Sequence, residues 1–237
     1  MSEPLSPEPS TIGENTPAHS AETVILIHGL WTPALVFALH SHWLKGRGYR
    51  TRRYGYHSVR ASLSDNAFQL KSFVAQTDAE TIHLVGHSLG GLIILEMLLD
   101  NADPRLKRAV LLGTPCHDSY CGRQLIDLPL LPSLLGLSTM EWLSRGPAIR
   151  SVQGSMVEIG VVAGTRSVGL GRVVPDLPLP NDGLVGVDET RLVGATDFIT
   201  LPVAHSEMLA SRLCAEQIAA FLETGRFIHA ATAENPD

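Results

Sequence analysis

One short stretch, Gly86–Gly91 with the sequence GHSLGG, constrains the fold of this chain more than any other. A short apolar run, 81–85, comes directly before it, and a longer apolar stretch with helical periodicity, 89–99, follows. A G-x-S-x-G motif in this context places the serine on a strained strand-to-helix turn above the edge of a sheet. The flanking glycines let neighbouring backbone approach closely. The context therefore predicts that the chain presents Ser88 as a nucleophile.

His205 is the candidate base for this serine. A serine hydroxyl is a weak nucleophile, and it needs a base, an acid that orients the base, and N–H donors for an oxyanion. His205 lies between the apolar run 198–201, predicted as the last strand, and the periodic stretch 206–222, predicted as the last helix. A loop at the carboxyl end of that strand would bring it to the same edge of the sheet as Ser88. The alternative is a surface histidine at the start of a helix.

The acid is less well determined by position. Four aspartates lie between the apolar segment 161–165 and the candidate base, namely Asp176, Asp182, Asp188 and Asp197. Asp182 stands in an Asn-Asp-Gly turn with apolar neighbours, where a purely local role in the turn is the alternative. Asp188 is the next candidate, although the polar and charged residues at 189–191 suggest a solvated helix start. On the residues alone, the choice stays open.

Two backbone N–H groups are needed to stabilise an oxyanion. One is expected from Leu89, directly after the serine, and the other from Leu30, in the loop after the first predicted strand, 23–27. His28 and His87 border these positions. His28 is interpreted as structural, with its ring hydrogen-bonded to backbone to hold the loop. His87 is also interpreted as structural, because the strand-turn geometry points it away from Ser88.

These segments together resemble compact bacterial lipases and esterases of the α/β-hydrolase superfamily. The resemblance covers 22–226 and rests on His-Gly-Leu at 28–30, GHSLGG at 86–91, Gly-Thr-Pro at 113–115, Asn-Asp-Gly-Leu-Val at 181–185, and His205. The segment 181–185 is similar to the one that carries the catalytic acid in secreted bacterial triacylglycerol lipases, so the resemblance selects Asp182. Gly-Thr-Pro is also similar to glycosylphosphatidylinositol-deacylase-like hydrolases.

The resemblance implies an esterase or lipase that uses Ser88, Asp182 and His205, forms an acyl-enzyme and needs no cofactor. A thioesterase, amidase or acyltransferase with the same triad is the main alternative, and a non-catalytic binding protein of the same fold is another. Many of the resembled lipases carry a calcium-binding aspartate two residues after the histidine. Glu207 stands there without a clear acidic partner, so no metal site is predicted.

Apolar runs and helical patterns alternate along the chain. Strands are predicted at 23–27, 50–54, 81–85, 108–112, 157–163 and 198–201, and helices at 33–45, 64–76, 89–99 and 206–222. This alternation predicts an α/β domain over residues 22–226, with a mainly parallel sheet of about six strands and helices on both faces. Such a sheet suits a minimal α/β-hydrolase, and 237 residues suffice for one such domain with a large core.

Residues 116–150 lie between the fourth and fifth predicted strands and are predicted as a small helical cap. The apolar, proline-broken stretch 125–137 favours an acyl or other hydrophobic small-molecule substrate, although ordinary core helices would show the same pattern. Trp31, Met140 and Trp142 are expected to line the same pocket.

The ends of the chain and its charge exclude other classes of function. Residues 1–21 are rich in Pro, Ser, Glu and Thr, which indicates a disordered tail rather than a signal peptide, and 227–237 is predicted as a C-terminal tail. No apolar run reaches membrane-spanning length. The formal net charge is −6 without a basic block, so neither nucleic-acid binding nor stable membrane insertion is expected. Nothing in the sequence specifies an oligomeric state.

The three cysteines of the chain, Cys116, Cys121 and Cys214, favour a cytoplasmic protein with reduced thiols. A zinc site at Cys116, His117 and Cys121 is not expected, because the spacing matches no standard pattern and a fourth ligand is missing.

Overall fold

The computed structural model describes residues 21–100, 102–126, 131–145, 152, 154–169, 174 and 176–229, with the side chains of 131–133 left aside. The predicted tails at 1–21 and 227–237 lie outside these ranges, apart from residues 21 and 227–229. Two parts of the predicted cap at 116–150, namely residues 127–130 and 146–150, lie outside them as well.

The strands form one sheet in which every pairing is parallel, as the alternating pattern predicts. The strands are β1 (Glu22–Ile27), β2 (Arg50–Tyr54), β3 (Thr81–His87), β4 (Leu106–Leu112), β5 (Glu158–Gly164) and β6 (Asp197–Leu201). Their order is β2-β1-β3-β4-β5-β6, so the direction of winding reverses between β1 and β3. In open parallel sheets, ligands bind beyond the carboxyl ends of the strands at this reversal.

Helices cover both faces of the sheet. They are α1 (Ala38–Lys45), α2 (Leu63–Ala75), α3 (Leu89–Leu98), α4 (Tyr120–Ile126), α5 (Leu131–Ser144) and α6 (Arg212–Thr224). Side chains alternate along each strand, so Ile25 and Ile27 of β1 enter the core under α2, α3 and α5, whereas Val24 and Leu26 enter the core under α1 and α6. A parallel sheet buried on both sides in this way explains the continuous apolar runs of its strands.

The last predicted helix, 206–222, is two separate elements. A 3-10 turn spans Ser206–Leu209, and α6 begins only after Ser211, whose side chain accepts a hydrogen bond from the Cys214 N–H at 3.3 Å. The hydroxyl of Ser211 satisfies an N–H that the first helical turn leaves unpaired, and this sets the start of the helix. The break keeps the residue after β6 in a loop, close to the edge of the sheet.

The predicted cap contains α4 and a broken α5. Gly136 has φ 74° and ψ 168°, and a Cβ there would lie 2.5 Å from the Cα of Val59. The Leu137 N–H donates to the Val59 carbonyl at 2.8 Å, so α5 is seated on the loop after β2 at its break. After the break Trp142 is buried in the core, whereas Leu134 before the break is half exposed. Among the described residues, no helix has the length and apolarity needed to cross a membrane.

Candidate active site

Ser88 occupies the tight turn that its motif predicts. It lies between the last residue of β3 and the first of α3, with φ 53° and ψ −120°. A left-handed φ is costly for a residue with a side chain and persists only where the surroundings enforce it. The motif glycines allow this, because a Cβ at Gly86 would lie 2.7 Å from the Gly91 Cα, and one at Gly90 would lie 2.3 Å from the Ile27 carbonyl oxygen.

The end of β4 holds the backbone of Ser88. The Ser88 N–H donates to the Leu112 carbonyl at 2.9 Å, and the Thr114 hydroxyl donates to the Ser88 carbonyl at 3.2 Å. The end of β4 and Thr114 of the Gly-Thr-Pro segment therefore hold the strained turn in place by hydrogen bonds to its backbone. The Ser88 residue is half-buried at this edge of the sheet.

Asp182 and His205 form a buried pair. The Nδ1–H of His205 donates to the Oδ2 of Asp182 at 2.7 Å, and Asp182 is 1% exposed. The His205 backbone N–H also donates to the Asp182 carbonyl at 2.8 Å. The second carboxylate oxygen, Oδ1, accepts the N–H groups of Leu184 and Val185 at 2.9 and 2.7 Å. Three hydrogen bonds to one carboxylate fix its orientation towards the imidazole.

The three other aspartates do not contact His205. Asp176 is exposed, and Asp188 is exposed and pairs with Arg191 at 3.1 Å. Asp197 accepts the backbone N–H of Phe198 at 2.8 Å and pairs with the His229 imidazole at 2.9 Å. Among the four aspartates that the sequence left open, only Asp182 therefore orients the candidate base.

Two buried histidines hold the segment that carries His205. The Nε2–H of His87 donates to the His205 carbonyl at 3.0 Å, and the two imidazole centroids are 4.6 Å apart. The Nε2–H of His40 donates to the Met208 carbonyl at 2.8 Å. Burial lowers the pKa of both His40 and His87, with the charge of His205 lowering that of His87 further. Both side chains thus act as neutral donors, and His87 brings His205 next to the Ser88 turn.

The loop of residues 28–32, named here the His28 loop, lies against this turn. A Cβ at Gly29 would lie 3.3 Å from the Ser88 Cβ. The Gly29 carbonyl accepts from the His28 Nδ1–H at 2.8 Å and from the Thr32 hydroxyl at 3.0 Å. Since a trans peptide points its carbonyl and its N–H in opposite directions, these two bonds also orient the N–H of Leu30.

His28 has the structural contacts expected for it. Its carbonyl accepts the Tyr56 hydroxyl at 2.8 Å, and its ring stacks on the Tyr56 ring with centroids 4.3 Å apart. Burial is the main cause that lowers the pKa of His28. Among the described residues, neither the Leu30 N–H nor the Leu89 N–H is donated to a protein acceptor. Two N–H groups therefore remain available near Ser88.

The three predicted pocket residues lie in two different surroundings. Trp31 is 52% exposed, has φ 58°, and donates its indole N–H to the Leu134 carbonyl of α5 at 2.7 Å. Trp142 is buried in the core and Met140 packs against that core, in the part of α5 that follows the break. Their place in a substrate pocket stays a prediction.

Glu207 stabilises the turn around His205. Its Oε2 accepts the Ala204 N–H at 2.9 Å and pairs with Arg166. Within the described ranges, no group of three or more His, Cys, Asp or Glu side chains has the arrangement of a metal site.

Glu189, like His40, is a residue near the site that was not predicted from the sequence. The expected solvated helix start at 189–191 is wrong at this position, because Glu189 is only 8% exposed. Its carboxylate accepts the Gly186 N–H at 2.6 Å and the N–H of Tyr120 at the start of α4. Only the spacing of Glu189 three residues after Gly186 hints at this local bond, since Tyr120 is distant in sequence.

Comparisons with known proteins agree with this geometry. A family model described as alpha/beta hydrolase family matches residues 24–236. The chain is similar to the mature form of the Bacillus licheniformis lipase BlEst2, with a TM-score of 0.70 and 20% identity, covering 88% of this chain and 94% of that one. It is also similar to an Exiguobacterium antarcticum esterase, with a TM-score of 0.60 and 14% identity, covering 87% and 93%.

A metagenomic carboxyl esterase gives a TM-score of 0.60 at 19% identity, covering 85% of this chain and 70% of that one. The comparison with curated proteins found no match. At these identities, the similarity to solved structures establishes the fold and not the substrate.

Proposed function

The chain belongs to the alpha/beta hydrolase family, as the match over residues 24–236 shows, and on that premise we propose that it is a serine hydrolase that cleaves carboxylic esters. One observation carries the proposal: the buried bond of 2.7 Å between Asp182 and His205, on a segment that the His87 imidazole ties to the Ser88 turn. A histidine oriented by a carboxylate beside a serine on a strained turn is the arrangement that activates a hydroxyl nucleophile.

In the first step, the Nε2 of His205 takes the proton of Ser88 while the Ser88 Oγ attacks the ester carbonyl carbon. Asp182 holds the imidazole in the required tautomer and stabilises the imidazolium that forms. The imidazolium then gives its proton to the leaving alcohol. This step breaks the ester C–O bond and leaves the acyl group on Ser88.

The carbonyl oxygen carries the negative charge of the tetrahedral intermediate, and the N–H groups of Leu30 and Leu89 are proposed to stabilise it. Both are free of protein acceptors within the described residues, and the Leu30 N–H is oriented by the bonds to Gly29. Donors that are fixed before the reaction need no reorganisation when the charge develops. Water, activated by His205, then attacks the acyl-enzyme and releases the acid.

The proposed substrates are esters with an apolar acyl group. Trp31, Leu134 and Leu137 are each 52–55% exposed, and the Trp31 bond to Leu134 joins them at the junction of the His28 loop and α5. Because the His28 loop lies against the Ser88 turn, these exposed apolar side chains favour a hydrophobic acyl group bound beside the serine. Cytoplasmic location stays a prediction.

The test is labelling with a fluorophosphonate, followed by intact mass and peptide mapping, together with turnover of p-nitrophenyl acetate and p-nitrophenyl octanoate. We expect one adduct on Ser88, and Ser88→Ala should lose the adduct and at least 10³-fold of the turnover, as expected for loss of a nucleophile. The control is Ser144→Ala, since the Ser144 hydroxyl only bonds to the Glu141 carbonyl at the end of α5.

An adduct at another residue, or turnover in Ser88→Ala close to that of the unmodified chain, would contradict the proposal. Thioester and amide analogues of the same acyl group belong in the same assay. A faster reaction with either of them would replace ester hydrolysis with thioester or amide hydrolysis while retaining the triad.

A further inference from the structure

Glu189 is a buried carboxylate without a cation. It is 8% exposed, and no lysine, arginine or histidine of the described residues pairs with it. Burial first, and then the negative charges of Asp118 and Asp182, raise the pKa of Glu189. The carboxylate therefore lies in acidic surroundings. Burial first, and then the charges of Glu189 and Asp182, raise the pKa of the nearby Cys121 thiol to about 11. A carboxylate buried in such a place is costly unless hydrogen bonds satisfy its oxygens.

Both hydrogen-bond partners of this carboxylate are donors. The Oε2 accepts the Gly186 N–H at 2.6 Å, and the Oε1 accepts the Tyr120 N–H. Only a carboxylate offers two acceptor oxygens and no donor, whereas a glutamine would turn an amide N–H₂ towards one of these N–H groups. Two N–H groups must be satisfied at once at position 189. A carboxylate therefore suits this position in spite of the cost of burying it.

The two donors belong to different parts of the site. Gly186 follows Leu184 and Val185, whose N–H groups bind the Oδ1 of Asp182. Three successive N–H groups are thus shared between Asp182 and Glu189. The other donor, Tyr120, is the first residue of α4, and the Glu189 carbonyl also accepts the His117 N–H at 2.9 Å.

We propose that Glu189 is a positioning residue, which holds the loop of Asp182 against the start of α4 and so keeps Asp182 aligned with His205. This proposal rests on the proposed function only where it predicts an effect on turnover. The effect of Glu189 on the bond between Asp182 and His205 can be measured without any activity. A failure of the positioning role can therefore be told apart from a failure of the proposed ester hydrolysis.

The test compares neighbouring carboxylates, Glu189→Gln and Asp188→Asn. Asp188 lies next to Glu189 in the chain, but its side chain is 89% exposed and pairs only with Arg191. We expect Glu189→Gln to lower kcat about tenfold, with KM for p-nitrophenyl acetate within twofold of the unmodified chain, because alignment and not binding is lost. Asp188→Asn should leave both constants within twofold.

The second readout is the proton NMR signal of the His205 Nδ1–H, which its bond to Asp182 moves to low field and which His205→Asn identifies by its loss. We expect the signal to broaden or move upfield in Glu189→Gln and to stay unchanged in Asp188→Asn. If the unmodified chain hydrolyses no ester, the proposed function fails and this signal still tests Glu189. If Glu189→Gln matches Asp188→Asn in both readouts, the positioning role is overturned.

Glu189→Asp keeps the charge but is too short to reach both N–H groups, so it separates charge from reach. We expect it to lower kcat and to broaden the low-field signal as well. If kcat and the low-field signal of Glu189→Asp match those of the unmodified chain, charge alone matters and the bridging role is overturned. Thermal unfolding of each variant is measured alongside. If neither variant at 189 folds, the carboxylate serves folding, and the proposal also fails.

Discussion

The loops on the two sides of the Ser88 turn are held in opposite ways. In the Asp182 loop, residues 181–187, each N–H from 182 to 187 is donated to an acceptor in the loop, to the carbonyl of Pro180 directly before it, or to Glu189. In the His28 loop, the carbonyl of Gly29 is held by two side chains while the N–H of Leu30 has no acceptor among the described residues. The N–H groups of the Asp182 loop are thus hydrogen-bonded within the protein, whereas the His28 loop leaves the Leu30 N–H as a donor for a ligand.

This difference fits the two roles that the proposed acyl transfer assigns to these loops. The Asp182 carboxylate interacts with a protein group throughout, so its loop gains from being closed and buried. In the proposed mechanism the Leu30 N–H meets a substrate atom, so it has to lack a protein acceptor, and its direction is set indirectly through the carbonyl of the same peptide. The left-handed Trp31, with φ 58°, belongs to this second loop and shows the strain that such an arrangement stores.

The largest effect should follow from breaking the closed loop at its centre. Asparagine has the shape of aspartate, but one of its two terminal atoms is an amide nitrogen, which cannot accept a hydrogen bond. Asp182→Asn therefore turns an N–H₂ group either towards His205 or towards the Leu184 and Val185 N–H groups. We expect kcat on p-nitrophenyl acetate to fall by about 10³- to 10⁴-fold. Asp188→Asn is the control and should change kcat less than twofold. The opposite ranking would move the acid to Asp188.

A smaller effect is expected in the His28 loop. Thr32→Val removes one of the two donors to the Gly29 carbonyl but leaves the Leu30 N–H itself in place. We expect kcat to fall about fivefold to tenfold, with a loss of about 1 kcal/mol in the free energy of unfolding. The control is Thr224→Val, because the Thr224 hydroxyl also donates to a carbonyl, that of Ala220, on the surface of α6. Equal kinetic effects of the two variants would show that the Gly29 carbonyl does not orient the donor.

The two loops also differ in what the sequence reveals of them. The Ser88 turn and Leu30 follow from local patterns, since apolar runs give the strands and the glycines mark where backbone comes close. Asp182 was selected only by resemblance, because four aspartates shared the right part of the sequence. Its contact with His205 depends on how the chain returns from β5 to β6, which no local pattern encodes.

Glu189 was beyond prediction for the same reason. A polar run at 188–191 is typical of a solvated helix start, and Asp188 and Arg191 are indeed exposed. The burial of Glu189 comes from α4, whose first N–H lies 69 positions earlier in the chain. Likewise, the apolar residues of α5 do not reveal that Gly136 divides the helix, with Trp142 in the core on one side and Leu134 exposed on the other.

The smallest effect should depend on the substrate, and it tests whether the His28 loop is coupled to α5. Trp31→Phe keeps an aromatic ring but removes the N–H that donates to the Leu134 carbonyl at 2.7 Å. A hydrogen bond of this kind contributes about 1 kcal/mol, so we expect kcat/KM for p-nitrophenyl octanoate to fall about fivefold. The acetate ester, whose acyl group is much shorter, is the internal control, and we expect it to change less than twofold. An equal loss on both esters would place the effect of Trp31 on the Leu30 N–H, and no loss on either would mean that the His28 loop acts independently of α5.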